Sequence, residues 1–110
     1  MRIVVAALLA VLISASAAFA GIYIKVKGDT GKVYWDKKNL SGYFKYAEDG
    51  GATITFTNGA TAYIFDKEPN GFAYSSKGRV LDNYYIYKWN PKTGQYEYKE
   101  DGKILTMPAD

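Results

Sequence analysis

The chain has 110 residues, with 14 Lys plus Arg against 11 Asp plus Glu, no Cys and no His, which is material for one domain. Without Cys or His it cannot build a Ser-His-Asp or Cys-His catalytic group, a thiolate or imidazole metal site, a disulfide or a cysteine-linked lipid anchor. What remains is a nearly balanced, aromatic-rich chain that must stabilise a small core by ring burial alone.

Residues 1–20 read as a secretory signal peptide. Met1 and Arg2 give a positive start, residues 3–13 are an uninterrupted run of 11 apolar side chains, and a small-residue stretch ends in Ala18-Phe19-Ala20. A second A-x-A lies at Ala15-Ser16-Ala17. Cleavage is expected after Ala20, leaving one β-domain over residues 21–110. That domain keeps 13 basic and 11 acidic side chains, with 11 Tyr, 2 Trp and 4 Phe. The alternative of an uncleaved anchor, extending to Ile24, is disfavoured by Ser14 and Ser16. The expected location is periplasmic or extracellular, of bacterial or archaeal type, with no stable membrane anchor.

From residue 22 the pattern is one of short alternating runs broken by glycine turns. Ile22, Ile24 and Val26 alternate with Tyr23, Lys25 and Lys27. Gly28-Asp29-Thr30-Gly31 then turns the chain, and pairing Gly28 with Gly31 would set Val26 against Val33 and Ile24 against Trp35. A strand is expected over residues 40–46, bounded by Glu48-Asp49-Gly50-Gly51. Residues 52–57 and 60–65 flank Asn58-Gly59, the preferred dipeptide of a type I′ hairpin. A two-residue loop there would place Ile54 opposite Tyr63, Ala52 opposite Phe65 and Phe56 opposite Thr61.

A shorter strand is expected over residues 72–75, between Glu68-Pro69-Asn70-Gly71 and Ser76-Lys77-Gly78. Residues 84–89 and 95–100 are joined by a four-residue loop at 91–94, and Asp101-Gly102 returns the chain into residues 103–107. These turns pair Trp89 with Tyr96, Tyr87 with Tyr98, Leu105 with Tyr98 and Met107 with Tyr96. They also set Lys88 against Glu97 and Glu100 against Lys103. Turn signals at the spacing of a sandwich or barrel lead to an all-β expectation: a small antiparallel β-sandwich or barrel of seven to eight short strands with Gly-rich hairpin turns. The alternative is a meander with one amphipathic helix around residues 80–85.

Three turns agree on one aromatic row, Tyr85, Tyr87, Trp89, Tyr96 and Tyr98, the candidate ligand- or partner-binding residues. If the row instead faces inward, Tyr84, Ile86 and Ile104, with Tyr23 and Tyr34, become the candidates for exposure. No catalytic residue, metal ligand or cofactor is expected. Asp29-Thr30-Gly31 matches the D-T-G tripeptide of the aspartic proteases, yet Lys27-Gly28 before it and Lys32 after it mark a hairpin tip. The lysines are scattered, with only Lys37-Lys38 adjacent, so no basic stripe and no nucleic-acid partner are expected. The reading is therefore an exported, non-enzymatic domain that binds a protein or assembles with itself, as an inhibitor, assembly or structural component. A carbohydrate-binding module that stacks cell-wall or extracellular polysaccharide on Tyr and Trp is the alternative.

Overall fold

The computed structural model describes residues 21–35, 39–66 and 68–109; the expected signal peptide lies outside them. The described residues form nine strands: β1 (Ile22–Lys27), β2 (Thr30–Trp35), β3 (Leu40–Tyr46), β4 (Ala52–Phe56), β5 (Thr61–Ile64), β6 (Asn70–Ser75), β7 (Val80–Asn90), β8 (Gln95–Glu100) and β9 (Lys103–Met107). Consecutive strands pair antiparallel throughout, and β1 also pairs with β7 in parallel, Ile24 opposite Ile86. The first seven strands thus close into a barrel, and β8–β9 extend from it. An up-and-down meander with an odd number of strands brings its last strand back in the direction of its first, so the closing ladder has to be parallel.

Alternation decides which side chains fill the barrel. Ile22, Ile24, Val33, Phe44, Ile54, Ile64, Ala62, Ala73 and Tyr84 point inward, and none of them is more than 1% exposed. Each buried Ile or Phe contributes roughly 1.5–3 kcal/mol over an exposed one. The ring of Tyr84 lies over Gly71 of the neighbouring strand β6, and its hydroxyl donates to the Glu68 carbonyl (2.9 Å). Trp35 and Phe56 stack at 5.2 Å towards one end, and Trp35 Nε1 donates to Asp82 Oδ2 (3.0 Å). Residues 80–85 belong to strand β7, which excludes the helix alternative.

Two hairpin registers differ from those the turn dipeptides suggest. In β1–β2 the loop is Gly28-Asp29, with Lys27 opposite Thr30, Val26 opposite Gly31 and Ile24 opposite Val33. A loop at Asp29-Thr30 would put Asp29, and in a type I′ turn Thr30 as well, at positive φ, whereas Gly28, at φ 74°, takes the first central position of a type II′ turn. In β4–β5 the loop has three residues, 57–59: Phe56 N–H donates to the Ala60 carbonyl, Gly59 N–H donates to the Phe56 carbonyl, and Gly59 has φ 92°. The added residue reverses every side chain of β5. Ala62 and Ile64, rather than Thr61, Tyr63 and Phe65, enter the barrel opposite Ile54 and Ala52. Small and β-branched groups fit the space left beside Phe44 and Phe56, and Phe65 stays 66% exposed.

The C-terminal turns take the expected forms. Trp89 pairs with Tyr96, Lys88 with Glu97, Tyr98 with Leu105 and Tyr96 with Met107. Asp101 and Gly102 have φ 52° and 75°, the two positive values of a type I′ turn. Tyr87 and Tyr98, however, are not ladder partners. Ile86 N–H donates to the Pro69 carbonyl (2.7 Å), so that edge of β7 is taken by the start of β6 and β8 must leave it after Glu97.

Candidate functional site

Because Tyr84 and Ile86 point into the barrel, Tyr85, Tyr87 and Trp89 point outward. The parallel ladder sets Tyr23, Lys25 and Lys27 of β1 beside them. Once β8 leaves β7, the β8–β9 hairpin folds across this outer face and closes a second core of Tyr23, Tyr87, Tyr98 and Met107, flanked by Tyr34, Tyr85 and Tyr96. Four residues of the sequence-derived row, Tyr85, Tyr87, Tyr96 and Tyr98, therefore meet in this cluster, and Trp89 adjoins it through the ring of Tyr96. Ring centroids lie 5.7 Å apart for Tyr85–Tyr98, 5.3 Å for Tyr87–Tyr98 and 5.0 Å for Trp89–Tyr96. Such pairs add about 0.5–1.5 kcal/mol each beyond area burial.

Exposure divides the row. Tyr87 and Tyr98 are each 2% exposed, while Tyr85, Trp89 and Tyr96 are half-buried. The second candidate set is covered as well: Tyr84 and Ile86 lie inside the barrel, Tyr23 lies under the hairpin on the row's own face and Tyr34 beside it is half-buried, so Ile104 is the one member of that set that is exposed, at 55%. Strand β7 is sandwiched between two cores, which is why neither of its faces offers a bare aromatic platform.

Polar contacts pin the hairpin in place. Asn70 Nδ2 donates to the Tyr98 hydroxyl (2.7 Å), which donates to Glu100 Oε1 (3.1 Å). Lys25, 7% exposed, donates from Nζ to the Pro108 carbonyl (2.8 Å) and lies over the rings of Tyr34 (4.9 Å) and Tyr96 (5.4 Å). Lys27 Nζ sits 4.5 Å from the centroid of Trp89. The contacts to Tyr96 and Trp89 escape sequence reading because each joins strands far apart along the chain. Burial, with smaller contributions from neighbouring tyrosines and Glu100, pushes the hydroxyls of Tyr23 and Tyr87 up to about 12. Burial also raises Tyr98, against the opposing hydrogen bond from Asn70. At the β7–β8 turn, hydrogen bonds from Asn90 and Thr93 hold the Glu97 carboxyl below its ordinary range.

Buried inward side chains occupy the barrel interior, and among the described residues hollows open at its ends and flanks. One of about 480 Å³ opens between Gly28, Tyr46, Ala47, Lys88 and Trp89, and an adjoining one of about 410 Å³ continues past Lys88 and Trp89 to Pro69, Pro91 and Lys99. Another, of about 620 Å³, is lined by Trp35, Leu40, Phe56 and the 57–61 turn. Among the described residues, no group of three Asp or Glu side chains is placed to hold a metal ion.

The remaining feature is the free side of β9, which pairs only with β8 among the described strands. Glu100 and Lys103 flank a two-residue turn and exchange hydrogen bonds, so Lys103, Leu105 and Met107 direct their backbone groups to β8. Ile104 and Thr106 direct theirs outward. Ile104 and Leu105 are 55% and 42% exposed. No protein-family model, curated protein or solved structure matches this chain.

Proposed function

We propose that this chain is an exported, non-enzymatic binding domain that takes a protein partner by strand addition along β9. The observation that carries the reading is the open edge of β9. Sheet edges are ordinarily blunted by proline, inward charge or a covering segment. Here residues 104–107, Ile-Leu-Thr-Met, carry no charge and no proline, and the outward amides of Ile104 and Thr106 give an incoming strand its hydrogen bonds. Exposed Ile104 and Leu105 supply side-chain contacts on the two faces of the hairpin. A barrel interior occupied by buried side chains and the lack of His and Cys favour binding over catalysis. The apolar run and A-x-A site within residues 1–20 support export.

The test is capture from the envelope and secreted proteins of the cell that makes the chain, using the full chain as bait and mass spectrometry as readout. A single protein held at near-stoichiometric level is expected. Thr106→Pro, which removes an outward donor that β8 does not use, should weaken its retention by about tenfold or more, with the melting curve of the bait preserved. Recovery of further copies of the chain, also abolished by Thr106→Pro, would make the partner a second copy. Retention indifferent to Thr106→Pro would overturn the edge reading, and no retained protein would overturn protein binding.

A further inference from the structure

Four of the lysines scattered along the chain, Lys25, Lys27, Lys32 and Lys45, are neighbours on the fold. Across the outer face of β1–β5 the registers define two rows: Lys27, Thr30, Lys45, Thr53 and Tyr63 in one, and Lys25, Lys32, Tyr43, Thr55 and Thr61 in the other. The inward neighbours of these positions, Val26, Val33, Phe44, Ile54 and Ala62, are buried, which fixes the rows on the outside of the barrel. Ten positions thus carry four Lys, four Thr and two Tyr and no acidic side chain. Neighbouring groups sit about 4.8 Å apart across strands and about 6.7 Å apart along them. At the β1–β3 end the surface is concave, about 490 Å³, with Tyr96 as its wall, and beyond Lys27 lies the ring of Trp89.

We infer that this face is a binding site for an anionic polysaccharide, distinct from the β9 edge. Lys25 and Lys32 face each other directly across β1 and β2, with Lys25 buried under the Pro108 carbonyl. Both also interact within the chain, so the ligand contacts are assigned chiefly to exposed Lys27 and Lys45 and to the ring of Tyr43, which is 54% exposed. Threonine and tyrosine hydroxyls both donate and accept, which suits a ligand that alternates hydroxyls with acidic groups. Single-stranded nucleic acid fits less well, since it calls for successive rings under successive bases, and Tyr43 and Tyr63 stand in different rows with Tyr63 half-buried. Lysine meets carboxylate or sulfate as a point charge, and the flat ring of Tyr43 offers a sugar its apolar face.

The test is affinity electrophoresis and titration calorimetry of the full chain with polygalacturonate, with heparin, and with carboxyl-reduced polygalacturonate as the neutral control. The expected result is binding to one or both anionic glycans and none to the neutral one. Lys27→Gln with Lys45→Gln should weaken binding by about tenfold or more, Tyr43→Ala should weaken it further, and Lys77→Gln should leave it unchanged. Preference for polygalacturonate identifies a uronate ligand and preference for heparin a sulfated one. Thr106→Pro should bind glycan as the parent does, which keeps this site separable from the β9 edge. The inference is overturned if neither glycan binds, if the neutral polymer binds equally, if the double variant is unaffected, or if oligo-dT or polyglutamate binds at least as tightly. All the variants alter exposed side chains, and coincident melting curves establish that they fold.

Discussion

A Cβ on Gly42 would lie 2.5 Å from the Thr55 carbonyl oxygen and 2.8 Å from the Phe56 Cα, both backbone atoms of the strand it pairs with. Neither can move without disturbing β4, so Gly42→Ala is expected to destabilise the chain by about 1–3 kcal/mol, lowering the melting temperature by roughly 4–8 °C per kcal/mol. An unchanged melt would mean that β3 can shift away from β4. The tyrosines allow a second test. Burial pushes Tyr23, Tyr84 and Tyr87 to about 12 from an ordinary 10. The folded chain therefore holds these protons more tightly than the unfolded one. Their contribution to stability is complete below pH 10 and is lost as pH rises through 12. Tyrosinate absorbance followed with circular dichroism should show a late-ionising group, with Tyr23, Tyr84 and Tyr87 the latest, that titrates as the fold weakens. Ionisation of all tyrosines together near pH 10 with the fold intact would contradict this.

The β8–β9 hairpin is held by side chains rather than by an extended ladder, since β7 and β8 share only the pairs from Lys88–Glu97 to Asn90–Gln95. Met107, 4% exposed among Tyr23, Tyr87 and Tyr98, is its main apolar anchor, and Lys25 clamps the following residue. Met107→Ala should cost about 2 kcal/mol or more and speed amide exchange over residues 95–107 while β2–β5 keep their protection. Equal loss of protection throughout would mean that hairpin and barrel unfold as one unit. At this level the sequence was legible where turn chemistry was strict. Asp101-Gly102 and the 91–94 loop set their registers correctly because the residues at positive φ are the only ones comfortable there. Asn58-Gly59 misled, because the same dipeptide also closes a three-residue loop. Only the interior, which accommodates Ala62 and Ile64, decides between the two.

Closure joins residues 22–26 to residues 84–88, so the barrel is sealed by contacts between strands distant along the chain, a slow step in folding. The weakest seam is elsewhere. Strands β5 and β6 share only the pairs Ala62–Ser75 and Tyr63–Tyr74, whereas β1 is laddered on both sides. Within the barrel, native-state hydrogen exchange should release the β5–β6 amides first and those of β1 last; equal protection of β5 and β1 would count against a local opening there. The amino-acid sequence by itself determined an all-β chain, the segments in which it turns though not the registers of β1–β2 and β4–β5, and the gathering of Tyr85, Tyr87, Trp89, Tyr96 and Tyr98, because period-two alternation and residues suited to positive φ act over a few neighbours. Only the tertiary structure decided that the sheet closes in parallel, that a hairpin covers the aromatic row, and that Lys25, Lys27, Lys32 and Lys45 share one face. Those outcomes depend on which strands lie side by side, and strand neighbours are chosen by the packing of the closed interior rather than by any local pattern.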